Sequence, residues 1–166
     1  MTIETKANRF LGSESELAAF LVGWESGTLP KAEFTHAAHV AVAACYTWQR
    51  SPLEALPLLR QRIRALNEAV GGRNTVDAGY HETLTRFWAE VVGQFVAARP
   101  AGSRIEAVRA AVAQFGSARD LPKSYYSQDL VQDPVARREW VPPHKIGLTT
   151  CRAVPGSVSP DTPPRK

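Results

Sequence analysis

The sequence predicts an all-α, single-domain helical bundle. Three observations point there. Apolar residues recur at helical spacing in several separate stretches, Ser/Thr-x-x-Glu capping signatures open three of them, and no stretch alternates convincingly as a pair of strands. A chain of 166 residues suits one domain large enough to bury a core. A flexible arm is expected over residues 1–12, a helical domain of about five main helices over 13–148, and a disordered Pro/Gly/Ser-rich tail over 149–166.

The first helix is announced by Ser13-Glu14-Ser15-Glu16, carries Leu17, Phe20, Leu21 and Trp24 on one face, and should stop at Gly27. Thr35 is a good N-cap for the next, which should run from His36 to about Gln49. From Val40 to Tyr46 this helix has no polar face, so it should lie at the centre of the fold. Ser51-Pro52-Leu53-Glu54 opens a third helix; Leu58, Leu59, Ile63, Leu66 and Val70 form its stripe, Pro57 should kink or delay it, and Gly71-Gly72 should end it. A helix from about Gly79 to Ala98 presents Leu84, Phe87, Trp88, Val91, Val92 and Phe95, and Ser103-Arg104-Ile105-Glu106 opens another to about Phe115. Short helical pieces are expected around Tyr125–Val131 and Pro134–Trp140.

Composition narrows the function. A formal charge of +4, part of it in Arg165 and Lys166, is too weak to argue for nucleic acid or a membrane surface. The longest apolar run, Ala37 to Tyr46, is too short to span a bilayer, and residues 1–12 have no apolar core of a signal peptide, so a cytoplasmic protein is expected. Cys45 and Cys151 fit no metal or redox spacing. Phosphate-cradling glycine loops, Gly-x-Ser-x-Gly elbows and His-Glu-x-x-His are all absent. Nothing fixes an oligomeric state.

The chemistry concentrates in two stretches, Phe34-Thr35-His36-Ala37-Ala38-His39-Val40 and Gly79-Tyr80-His81-Glu82-Thr83-Leu84-Thr85. His36 and His39 share a helical face, and His81 belongs to the first turn of its own helix, where it is a candidate ligand or else caps that helix or contacts the Asn74–Asp77 loop. The positive end of each helix dipole disfavours imidazolium, and neutral imidazole is the metal-binding form. If the two helix starts meet, His36, His39 and His81 could hold a divalent ion, Zn or a first-row transition metal, with a position open for water or substrate. Glu82 points too far from His81 to share an ion; it is a candidate base, or it pairs with Arg86. Tyr80, Asn74, Tyr126 and Arg137 are candidate substrate contacts, and His144 is a weaker candidate ligand. Two functions follow: a metal-dependent enzyme acting on a small molecule, or a non-enzymatic helical protein whose histidines are polar contacts in a ligand or partner pocket.

Gly27-Thr28-Leu29-Pro30-Lys31, Thr35-His36-Ala37-Ala38-His39, the stretch Arg62 to Gly71, Asn74-Thr75, Gly79 to Thr85, Tyr125-Tyr126-Ser127 and Ala136 to Val141 together resemble an uncharacterised family of small bacterial helical proteins. The resemblance covers roughly residues 20–148 and implies a bacterial, cytoplasmic protein; it carries no activity. In that family an aspartate stands where this chain has His144, which counts against His144 as a ligand.

Overall fold

The computed structural model describes residues 6–148. Six α-helices form the fold, with no strand among the described residues. They are α1 (Glu14–Ser26), α2 (His36–Thr47), α3 (Pro52–Ala69), α4 (Glu82–Ala97), α5 (Arg104–Phe115) and the short α6 (Pro134–Arg138). The expected tail over 149–166, with Cys151, lies outside the described residues. No helix among them is long and apolar enough to cross a membrane.

The helices begin where the capping residues place them. Ser13, Thr35, Ser51 and Ser103 accept from the backbone N–H three residues on, and Ser51 with Glu54 completes a reciprocal capping box. α1 ends on Gly27, whose φ of 74° is the left-handed cap conformation.

α2 is the axle. Every residue from Val40 to Thr47 is buried, and α3, α4 and α5 pack around it. Its alanines leave room for close approach. A Cβ at Gly93 of α4 would meet Pro52 Cγ at 2.7 Å and Thr47 Cγ2 at 3.0 Å, so that glycine lets α4 lie against both α2 and the start of α3. α1 covers α3 and α5.

Four expectations are corrected. Residues 1–12 are not all a loose arm: Lys6–Leu11 form a 3-10 turn, and Phe10 is buried with its ring stacked 4.3 Å from Phe20. Pro57 does not delay α3, which starts at Pro52 and continues past it to Ala69. The carbonyl that loses a donor is that of Leu53, an exposed residue, so water can replace the missing N–H. The buried stripe of α3 is Ala55, Leu56, Leu59 and Leu66; Leu58 turns outward. The segment around Tyr125–Val131 is not one helical piece but two 3-10 turns, Leu121–Ser124 and Leu130–Gln132, separated by a turn and a bend.

A buried hydroxyl ties down the start of the segment after α6. Thr83 Oγ1, fully buried on α4, donates to the Glu139 carbonyl at 2.7 Å and accepts from the Val141 N–H at 3.0 Å. Trp140 lies under the Arg86 guanidinium at 4.4 Å, which seals the same junction.

The docking of Phe10 generates a stability prediction. Phe10→Ala should lower the unfolding free energy by about 3 kcal/mol in urea denaturation, because it leaves a void beside Phe20. A loss below about 0.5 kcal/mol, the level of an ordinary surface substitution, would mean that the arm does not belong to the core.

Candidate functional site

Both chemistry-bearing stretches open onto one cavity of about 990 Å³. His36 and His39 enter it from the start of α2, Tyr80 and His81 from the start of α4, and Trp88 from the next turns of α4. Arg119, Asp120 and Lys123 after α5, together with Tyr126 to Val131 and Lys145, complete its wall.

The histidines share this cavity but are held differently. His39 lies in an aromatic nest, its ring centroid 4.5 Å from Phe34 and 5.3 Å from Trp24. Its Nδ1–H donates to the Thr35 carbonyl at 2.7 Å, which leaves Nε2 as the lone-pair nitrogen. Nε2 has no protein partner among the described residues and is not sealed from the cavity. His36 is the opposite tautomer. Its Nε2–H donates to the Phe115 carbonyl at 3.1 Å, and its ring meets Trp88 edge-on at 4.7 Å. His81 has no free nitrogen: Nε2–H donates to the Leu130 carbonyl at 2.7 Å, and Nδ1 accepts from the Leu84 N–H at 3.3 Å.

His81 is therefore the N-cap of α4, not a residue of its first helical turn. An imidazole nitrogen does here what a serine hydroxyl does at the other caps. The three rings do not form a ready ligand set, and among the described residues no three or more His, Cys, Asp or Glu side chains come together as one.

All three histidines lean toward neutral, mainly because of burial rather than the helix dipole. Burial pushes His39 down to about 4, against the opposing hydrogen bond to Thr35 and with help from the charges of His36 and Arg119. Burial also lowers His36, opposed by the Phe115 bond and assisted by Arg119, and lowers His81 against its bond to Leu130.

Glu82 is not in the cavity wall. Its buried carboxylate receives Arg60 Nε at 3.0 Å on each oxygen, a second guanidinium nitrogen of Arg60, and the Tyr80 hydroxyl at 2.8 Å. Burial raises its pKa, but the Arg60 and Tyr80 bonds outweigh this and hold it below the usual carboxylate range. The expected pairing with Arg86 does not form, since Arg86 bonds Glu90 one turn on. As a candidate base Glu82 is badly placed; it locks the start of α4 onto α3.

The other candidates separate in the same way. Tyr80 lines the cavity, but its hydroxyl is committed to Glu82. Tyr126 lines it too, with its hydroxyl on the Val141 carbonyl at 2.9 Å. Asn74 is a brace outside it: its amide donates to the Arg64 carbonyl and Glu68, and its oxygen accepts from Asn67 and the Tyr80 N–H. This loop needs Gly79, at φ 79°, because a Cβ there would strike the Arg73 carbonyl and approach the Asn67 amide to 2.6 Å. Arg137 also lies outside the large cavity, buried behind Tyr80. His144 accepts from the Ser127 N–H at 3.1 Å and pins a loop. Cys45 is buried in α2 with its thiol pushed up to about 12 by burial, so it packs as an apolar group.

Sequence reasoning missed Arg119. It lines the cavity close enough to depress both α2 histidines, and no hydrogen bond or ion pair neutralises it among the described residues. Neighbouring Lys123 is paired with Asp120 at 2.7 Å. The only sequence signal was a lone basic residue in a loop just beyond α5.

No protein-family model, no curated protein and no solved structure matches this chain.

The His39 environment has a measurable pH signature. By NMR its ring should titrate near 4 instead of 6.5. The unfolded chain then takes up a proton at higher pH than the folded chain. Stability is intact above 6.5 and falls as pH drops from 6.5 toward 4, by up to about 3 kcal/mol from this group. A His39→Leu variant should lack that slope; an unchanged slope would mean that His39 is not desolvated.

Proposed function

We propose that this chain binds a small organic molecule in the large cavity, with His39 as the central polar contact. The observation that carries the reading is the His39 tautomer. Thr35 holds the proton on Nδ1, so Nε2 offers a lone pair to whatever occupies the cavity. A ligand that satisfies it supplies an O–H or N–H donor. Trp88, Leu84 and Phe34 offer an apolar wall for the body of that ligand, and Arg119 offers a charge for an acidic end. A molecule with an aromatic body, a hydroxyl and a carboxylate satisfies all three.

A neutral histidine aimed at a bound hydroxyl can also take its proton, but with its pKa held at about 4 His39 is a weak base, so enzymatic proton transfer would need a ligand charge that raises it. Arg119 would then stabilise negative charge developing on the ligand. Glu82 has no part in it, being committed to Arg60 and Tyr80.

A metal-dependent reading rests on a narrower observation. His39 Nε2 and, in its present tautomer, His36 Nδ1 are free of protein partners among the described residues. A divalent ion held by these two nitrogens would complete its shell with water or ligand oxygens; His81 could join only by giving up both its bonds.

One experiment separates the readings. The protein, purified without a histidine tag, is titrated with 4-hydroxybenzoate and separately with Co(II), following tryptophan fluorescence and the visible d–d bands. The small-molecule reading expects saturable binding of 4-hydroxybenzoate with no metal present. His39→Ala and Arg119→Gln should each weaken it at least tenfold while the melting temperature stays within a few degrees. The metal reading expects stoichiometric Co(II) binding that is lost in His39→Ala. Neither response would overturn both.

A further inference from the structure

Behind Tyr80 lies a second, smaller cavity of about 270 Å³ that the proposed function does not use. Arg64, Arg137 and Arg138 line it, with Asn74, Thr75, Val76 and Tyr80. None of the lining residues is acidic. We infer that this cavity is an oxyanion site for a phosphate or phosphoryl group, held by the guanidinium groups of Arg64 and Arg138 beside the buried charge of Arg137.

Arg137 sits at the back of this cavity. It is only 7 % exposed and has no carboxylate partner among the described residues. Backbone carbonyls alone hold it: one terminal nitrogen donates to Gly79 at 3.1 Å and Tyr80 at 3.4 Å, the other to Val131 at 3.0 Å. Carbonyl dipoles orient a buried guanidinium but do not cancel its charge. The Arg64 guanidinium carbon lies over the Tyr80 ring, 4.3 Å from its centroid, and the Arg64 side chain has no hydrogen-bond acceptor among the described residues. Arg138, in the last turn of α6, also has no side-chain partner among the described residues.

Three like charges on one concave surface repel, and the fold supplies little to relieve them. Three acids lie nearby: Glu82 feels the Arg64 charge but is bound to Arg60 and Tyr80, Glu68 accepts from Asn74, and the third is Asp77. It is exposed, tied to the Thr75 hydroxyl at 2.6 Å, and feels Arg137 only as a minor influence. The Asn74 side chain is committed to the loop brace. What remains is an excess of planar N–H donors facing a small space. A tetrahedral dianion matches that arrangement better than a carboxylate, since it brings more acceptor oxygens to the Arg64 and Arg138 guanidinium groups and more charge to offset that of the buried Arg137. Such a group could be free phosphate, or the end of a phosphomonoester whose body passes Tyr80, the residue common to both cavities.

The test is calorimetric titration of the full chain with inorganic phosphate and with phenyl phosphate, at ionic strength fixed by sodium chloride. One saturable site per chain is expected. Arg138→Gln and Arg64→Gln, both at exposed positions, should each weaken binding at least tenfold while leaving the melting temperature without phosphate unchanged. Equal affinity for the two probes identifies free phosphate as the ligand. At least tenfold tighter binding of phenyl phosphate identifies a monoester. No saturable binding of either probe, or undiminished binding by both variants, overturns the site.

Discussion

The structure depends on enclosing a helix that has no face for water. From Val40 to Thr47 every side chain of α2 is buried, so neighbours are needed on all sides, and α3, α4 and α5 supply them. Small residues make the enclosure tight, and Gly93 marks where α4 comes closest. The hydrophobic effect fixes the axle; the other helices are arranged by what it must bury. Its N-terminus is the exception to that enclosure. There the chain offers His36 and His39 instead of more alanine and valine, and the surrounding loops leave a cavity instead of closing over it.

The same physics that buries α2 sets the chemistry of its histidines. Desolvation lowers His36 and His39, and the nearby Arg119 adds to it. The backbone then chooses the tautomers: Thr35 takes the proton of His39 at Nδ1, Phe115 that of His36 at Nε2. Two rings one turn apart therefore face the cavity with different nitrogens. His81 is equally neutral yet offers no nitrogen, because its cap and its bond to Leu130 use both. Neutrality alone does not make a histidine a ligand; a free lone pair does.

Gly79-Tyr80-His81-Glu82 is a structural junction as much as a site. Gly79 turns the loop, Tyr80 separates two cavities, His81 caps α4, and Glu82 ties α4 to Arg60 on α3. The Glu82 carboxylate serves Arg60 and the Tyr80 hydroxyl together, so the wall between the cavities is set by the same ion pair that positions the helix. Thr83 extends the junction by holding Glu139 and Val141, which fixes the segment following α6 and its arginines.

The helices, their starts and the burial of α2 were legible in the sequence, because caps and apolar periodicity act within one or two turns. So was the gathering of polar rings from two stretches, each of which places histidines at the edge of an apolar surface. Partner choice was not. Glu82 takes Arg60 instead of Arg86, twenty-two residues away instead of four, because folding presents a guanidinium that can fork onto both carboxylate oxygens. Local sequence left His81 open as a cap or as a ligand; the Leu84 N–H and the distant Leu130 carbonyl decided it by taking both ring nitrogens. Arg119 showed locally only as a basic residue in a loop; it matters because the loop after α5 returns to the start of α2. Local sequence determined which segments are helical and which must be buried. Tertiary structure decided which nitrogen, carboxylate and guanidinium stay free, since hydrogen-bond partners distant in the chain are set only when the whole fold has closed.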